Sequence, residues 1–115
     1  MSNSMEMVER YRGSLLGLSV GDALGTTLEF RPPGSFESIR DMVGGGPFHL
    51  KPGQWTDDTS MALCLATSLL AVGGFDARDQ MERYLKWYES GYCGSSTAAT
   101  PWPARPIPTP PGTAR

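Results

Sequence analysis

A single histidine, two cysteines and no long apolar run exclude several kinds of chemistry from this 115-residue chain before any motif is considered. Cys64 and Cys93 show no CxxC spacing, so a zinc finger or a disulfide scaffold is not expected, and a reducing compartment fits. His49 would have to carry any Ser-His-Asp or Cys-His mechanism alone, and no nucleophile motif surrounds it. No stretch of 18 apolar residues marks a membrane span. The first residues are polar and include acids, unlike a secretory signal, so a cytoplasmic protein is expected. Basic residues number 10 against 12 acids, a net charge of −2, where a nucleic-acid-binding domain is usually strongly basic. With 39% hydrophobic and 19% charged residues, the composition is that of one ordinary globular domain.

Acids are missing altogether from residues 93–115, where six of the chain's ten prolines lie and Arg105 and Arg115 are the only charges. Each proline removes a backbone donor and restricts its predecessor, so this stretch is expected to be extended or disordered rather than helical. The patterned part is then 1–92 and the proline-rich tail 93–115.

Period-3.6 patterning runs through the patterned part, and no segment alternates convincingly with period two, which predicts an all-α fold. Residues 5–24 form the first helix, with Val8, Tyr11, Leu15, Leu18 and Ala23 near one stripe and Gly25 ending it. Gly13, Gly17, Gly21 and Gly25 recur every fourth residue. Each interior glycine costs about 1 kcal/mol relative to alanine, so the ridge suggests close approach of another backbone. Residues 26–55 look irregular, apart from a possible helical turn over 36–42. An irregular stretch of that length is usually functional in a compact domain. A second helix opens at Asp57 with Met61, Ala62, Leu65, Leu69 and Leu70 as its apolar face, and Gly73-Gly74 stop it. A third runs from Asp76, a suitable N-cap, to Glu89. Met81, Tyr84, Leu85 and Tyr88 line its apolar side, with Asp79, Glu82, Arg83 and Lys86 toward water.

Thr56-Asp57-Asp58 is the best candidate for chemistry. One reading is purely structural: threonine caps a helix and acids in the first turn complement its dipole. The other is a hard-cation site, because hydroxyl and carboxylate oxygens suit Mg²⁺, Mn²⁺ or Ca²⁺ rather than zinc. Asp22 is either a helix-end acid bonded to loop backbone or a polar group lining a site. Glu29, taken alone, is a surface acid. Gly44-Gly45-Gly46 lacks the Lys and Ser/Thr of a P-loop and is a weak phosphate-cradle signal. Cys64 is expected as a small core residue.

Three stretches together carry a family resemblance: Arg12-Gly13-Ser14-Leu15-Leu16-Gly17-Leu18-Ser19-Val20-Gly21-Asp22-Ala23-Leu24-Gly25 with Leu28-Glu29-Phe30; Gly53-Gln54-Trp55-Thr56-Asp57-Asp58-Thr59-Ser60-Met61; and Gly74-Phe75-Asp76 through Arg83-Tyr84 to Trp87 and Gly91-Tyr92. Over residues 10–92 the chain resembles the ADP-ribosylglycohydrolase family, of the dinitrogenase-reductase-activating glycohydrolase type. The resemblance implies the N-terminal portion of an all-α fold built around a binuclear Mg²⁺ or Mn²⁺ centre. The implied reaction is hydrolysis of the glycosidic bond between ADP-ribose and a protein side chain or small acceptor. It implies that Thr56, Asp57 and Asp58 are metal ligands and that Glu29, Asp57 and Asp58 are catalytic. Glu29 becomes an acid at the mouth of the site that contacts the metal or gates substrate, and Asp22 a structural support. The implied partner is an ADP-ribosylated protein or an ADP-ribose-containing small molecule, with neither nucleic acid nor membrane involved.

The chain also departs from the family pattern. A second Asp-x-Asp-Thr-like block, which completes the metal centre in family members, does not follow, and the proline-rich stretch stands in its place, as a shifted reading frame or a truncated gene would produce. The competing expectations are a truncated, non-catalytic fragment or a binding or structural protein.

Overall fold

A computed structural model describes residues 2–95. They form three α-helices, α1 (Ser2–Gly25), α2 (Asp57–Val72) and α3 (Ala77–Ser90), with a 3-10 turn at Thr26–Leu28 directly after α1. Among the described residues there is no strand, only an isolated antiparallel bridge between Gly45 and Leu50. The all-α expectation holds, although α1 starts three residues before the expected Met5. The tail beyond Ser95 lies outside the described residues. Its first members, Cys93 to Ser95, are half-buried rather than loose.

Local chemistry sets the helix ends. Asp76 caps α3, its Oδ1 accepting from the amides of Arg78 at 2.9 Å and Asp79 at 3.0 Å. Gly73 and Gly91 close α2 and α3 at φ 71° and 73°, the left-handed conformation in which a side chain is disfavoured. Thr56 stands at the N-cap of α2 but makes no capping bond with its own side chain.

Helix faces pack differently from their hydrophobic stripes. The buried side of α2 is made of small residues, Ser60, Cys64 and Ser68 at i, i+4 and i+8, together with Thr59, whereas Leu69 and Leu70 are exposed. Small side chains leave room for α3 to approach, and the Cys64 thiol lies 3.6 Å from the Arg83 carbonyl oxygen. Burial, reinforced by the neighbouring Cys93 thiol, pushes the Cys64 thiol up to about 11. Cys64 is thus the small core residue expected.

On α3 the expected faces hold only in part: Tyr84 is half-buried and Glu82 and Lys86 are exposed, as expected, but other positions exchange. Met81, Leu85 and Tyr88 are exposed, while Asp79 and Arg83, expected toward water, are half-buried. Arg83 Nε donates to Asp79 Oδ2 at 2.6 Å, Nη2 to Oδ1 at 3.3 Å, and Nη1 to the Tyr92 hydroxyl at 3.2 Å. Ser68 of α2 adds a hydrogen bond to the Asp79 carboxylate. A satisfied ion pair therefore occupies the α2–α3 seam, and Met81, Leu85 and Tyr88 face outward.

The α1 stripe is also uncovered: of its five residues only Ala23 is buried. A Cβ placed on Gly13, Gly17, Gly21 or Gly25 would meet nothing within 4 Å, so no described backbone packs on that ridge. The glycines under real constraint are Gly44 and Gly46. A Cβ on Gly44 would lie 2.6 Å from the Leu50 carbonyl oxygen, and one on Gly46 2.6 Å from that of Thr26, with φ 68° at both. The Gly45 amide is used by the Leu50 carbonyl at 2.7 Å, so the triple glycine is a tight turn against the 3-10 segment rather than a phosphate cradle. Residues 36–42 form no helical turn.

Two predictions follow from this packing. Arg83 and Ser68 hold the Asp79 carboxyl below its ordinary value in the fold, so the unfolded chain binds protons more readily there as pH falls. That stability is present above the ordinary carboxylate range near pH ~4 and lost as pH drops through the folded value. Asp79→Asn should lower the melting temperature at pH 7 and flatten its decline below that range in circular dichroism; an unchanged acid limb would remove this role. Gly46→Ala should cost on the order of 1–3 kcal/mol in thermal denaturation. Gly45→Ala, whose Cβ enters open space at φ 78°, should cost less, and equal losses would show that the contact with Thr26 is not the cause.

Candidate functional site

Asp22, in the last turns of α1, reaches the start of α2 and accepts four hydrogen bonds there. Its Oδ1 takes the Thr56 hydroxyl at 2.5 Å. Its Oδ2 takes the amides of Thr56 at 3.0 Å and Thr59 at 3.1 Å and the Thr59 hydroxyl at 2.7 Å. The first amides of any helix lack partners within it. Here a carboxylate from another helix fills the role that the Thr56 side chain leaves open. Both readings of Asp22 thus contain part of the answer: it binds backbone, and it also lines a cavity.

That cavity, about 320 Å³, is lined by Asp22, Glu29, Thr56 and Asp58 together with Leu18, Gly21, Gly25, Thr26 and Leu28. Asp57, although adjacent in sequence, lines a separate, narrower cleft of about 40 Å³ with Phe48, Leu50, Trp55 and Trp87, and Thr56 borders both. The structure therefore gathers Glu29, Thr56 and Asp58 and turns Asp57 toward the aromatic side. The Trp55 backbone is clasped by Ser95, whose Oγ accepts from the Trp55 amide at 3.0 Å and donates to its carbonyl at 2.8 Å. The Trp55 indole N–H donates to the Cys93 carbonyl at 3.3 Å. No local signal at Ser95, forty residues on, pointed to this clasp.

Electrostatics bind the acids into one group. Burial raises the Glu29 carboxyl, the Thr26 hydroxyl at 3.4 Å opposes that, and Asp57, Asp58 and Asp22 raise it further. Burial likewise raises Asp58, with Asp57 and Asp22 adding to it. Ionised carboxylates crowded in this way repel one another, and a cation between them would reverse the effect. The donors, a hydroxyl and carboxylates, are hard oxygens of the kind Mg²⁺ and Mn²⁺ prefer. Among the described residues, however, no three His, Cys, Asp or Glu side chains converge closely enough to hold an ion. The donor type fits such a cation, while the number at bonding distance falls short of a closed site. His49 is exposed at φ 52° in the glycine turn and is not among the lining residues of either cavity.

The chain resembles known proteins over most of its length. The ADP-ribosylglycohydrolase family model matches residues 3–113. The chain is 52% identical over 86 residues to the ADP-ribosylarginine hydrolase Tri1 of Serratia proteamaculans, covering 75% of this chain and 23% of that protein. It is 48% identical over 86 residues to the ADP-ribosyl-[dinitrogen reductase] glycohydrolase of Rhodospirillum rubrum, covering 71% and 29%. A solved structure, an ADP-ribosylglycohydrolase-related protein complex, superposes with TM-score 0.65 at 62% identity over 70% of this chain and 28% of that one. The chain thus spans about a quarter of the length of the curated relatives it matches. No described helix is long and apolar enough to cross a membrane. A family match over nearly the whole sequence, on a helical frame that gathers Glu29, Thr56 and Asp58, makes this chain a member of the ADP-ribosylglycohydrolase family.

Proposed function

We propose that this chain carries the N-terminal share of a site that hydrolyses the glycosidic bond between ADP-ribose and a protein side chain, and that Thr56, Asp57, Asp58 and Glu29 would hold Mg²⁺ or Mn²⁺ there. The observation that carries the reading is the anchoring of Thr56 by Asp22, which presents the Thr56 hydroxyl and Asp58 beside Glu29 in one open cavity. The relatives named for action on ADP-ribosylarginine and on ADP-ribosylated dinitrogen reductase support the substrate class. When bound, the cation would supply Lewis-acid polarisation and an anchor for substrate oxygens. The chain's own residues do the rest. Thr56 offers a hydroxyl oxygen from a fixed helix start. Asp57 and Asp58 project from the same turn to either side of it. Glu29, at the cavity rim, holds its proton more readily than an ordinary carboxyl, and when ionised it faces the positive charge that develops at the anomeric carbon. A protein in a cytoplasmic, reducing setting fits two unpaired thiols.

A second reading concerns this chain by itself: it binds the cation weakly and turns over far more slowly than a full-length relative. The shortage of converging ligands among the described residues favours it, as does the apolar surface left uncovered on all three helices. An octahedral ion needs about six oxygen ligands and gives up its waters reluctantly. The test is a Mn²⁺ titration of the purified chain combined with an ADP-ribose release assay on an ADP-ribosylarginine protein, with and without Mg²⁺. Weak Mn²⁺ binding that falls further in Asp57→Ala and Asp58→Ala is expected, with release well below about 1 per second. Unchanged Mn²⁺ affinity in both variants would show the ligand assignment to be wrong. Release at about 1 per second or faster would show that this chain suffices alone.

A further inference from the structure

We propose that Asp22 is a positioning residue that acts through Thr56: by accepting the hydrogen bond that the Thr56 hydroxyl donates, it fixes Thr56 Oγ1 as an acceptor for the cation. The inference rests on the cation reading above and assigns the residue that prepares the site for it. A threonine hydroxyl has one proton and two lone pairs. With the proton committed to Asp22 Oδ1 at 2.5 Å, within the range of charge-assisted O–H···O⁻ bonds, the oxygen faces everything else only as an acceptor. Left free, the same hydroxyl could turn its proton toward a cation and repel it.

Most of the acceptor capacity of Asp22 is committed to the two threonines, three bonds at Oδ2 and one at Oδ1. A carboxylate offers about four lone-pair sites, and the two oxygens already accept four bonds from Thr56 and Thr59. The same four bonds fix the backbone on both sides of Asp57 and Asp58, which lie between the two anchored threonines. A helix cap alone would need only the two amide bonds. The two hydroxyl bonds are additional, and the one from Thr56 falls on a residue that borders both cavities.

Asp22→Asn preserves size and one acceptor oxygen, but its NH₂ group cannot accept a threonine proton. In the full 115-residue chain, Mn²⁺ binding is measured by the electron paramagnetic resonance signal of free Mn²⁺, with far-UV circular dichroism as the check on folding. Asp22→Asn is expected to weaken Mn²⁺ binding about tenfold or more while the helical spectrum persists. Thr56→Val should weaken it similarly, Thr56→Ser should restore it, and Asp22→Asn should add nothing in the Thr56→Val background. Undiminished affinity in a folded Asp22→Asn chain overturns the role of Asp22 and leaves the cation site standing. A loss of the same size in the Thr56→Val background overturns it too, because a through-space charge effect does not need the hydroxyl. Absence of Mn²⁺ binding by the wild-type chain overturns the cation site and this role together. Should Asp22→Asn fail to fold, Thr56→Ser and Thr56→Val decide, and wild-type affinity in both refutes the proposal.

Discussion

One carboxylate holds the site together. Asp22 joins the end of α1 to the start of α2 through two amide and two hydroxyl bonds spanning 34 to 37 residues of sequence. A partly buried carboxylate is costly unless donors surround it, and unpartnered amides at a helix start are costly unless an acceptor meets them. Each group answers the other's need. The connection also closes the long irregular segment 26–55. Loop closure grows costly only slowly with length, so one strong anchor suffices where a row of weak contacts would not.

The irregular segment then takes its shape from its two ends. Thr27 Oγ1 donates to the Gly44 carbonyl at 3.0 Å, and the Gly45–Leu50 bridge turns the chain back beneath the 3-10 segment. This brings Phe48 and Leu50 to the wall of the aromatic cleft beside Asp57. Irregular backbone placed by rigid helices is where functional groups are commonly carried, since it can present polar atoms that a regular helix would consume. Ser95 completes the opposite wall by gripping both polar groups of the Trp55 backbone. Trp55 and the threonine after it are therefore held from two directions, by α1 and by the chain following α3.

How much of this was legible depends on the range of the interaction. The cap at Asp76 and the stops at Gly73 and Gly91 rest on contacts a few residues long, and the sequence pattern is enough to place them. Thr56-Asp57-Asp58 was visible as a motif, but its local reading as a self-capped helix start fails because the cap comes from Asp22. Apolar content alone misplaces several positions on the faces of α2 and α3. α2 meets α3 at Cys64 and Ser68, because small side chains permit close approach: the Cys64 thiol lies against the Arg83 carbonyl and Ser68 beside Asp79. Arg83 is drawn into the same seam because Asp79, Tyr92 and the geometry of a guanidinium satisfy it there. The apolar stripes of α1 and α3 remain uncovered among the described residues, in a chain that matches about a quarter of its relatives' length, so their hydrophobicity says little about contacts within this segment.

The charge balance is uneven as well. Asp22 is satisfied by neutral donors that leave its negative charge in place, and that charge contributes to raising both Glu29 and Asp58. The Thr26 hydroxyl is the single influence on Glu29 that works in the other direction. Arg83, by contrast, spends its charge on Asp79 at the α2–α3 seam, away from the cavity. The fold therefore neutralises Asp79 at the α2–α3 seam and leaves un-neutralised the acids that line the cavity, Asp22 among them. Repulsion of that kind works against folding at neutral pH, and groups displaced from their ordinary titration in a cleft are concentrated at functional sites. Positive charge entering the cavity would relieve that cost and so stabilise the start of α2.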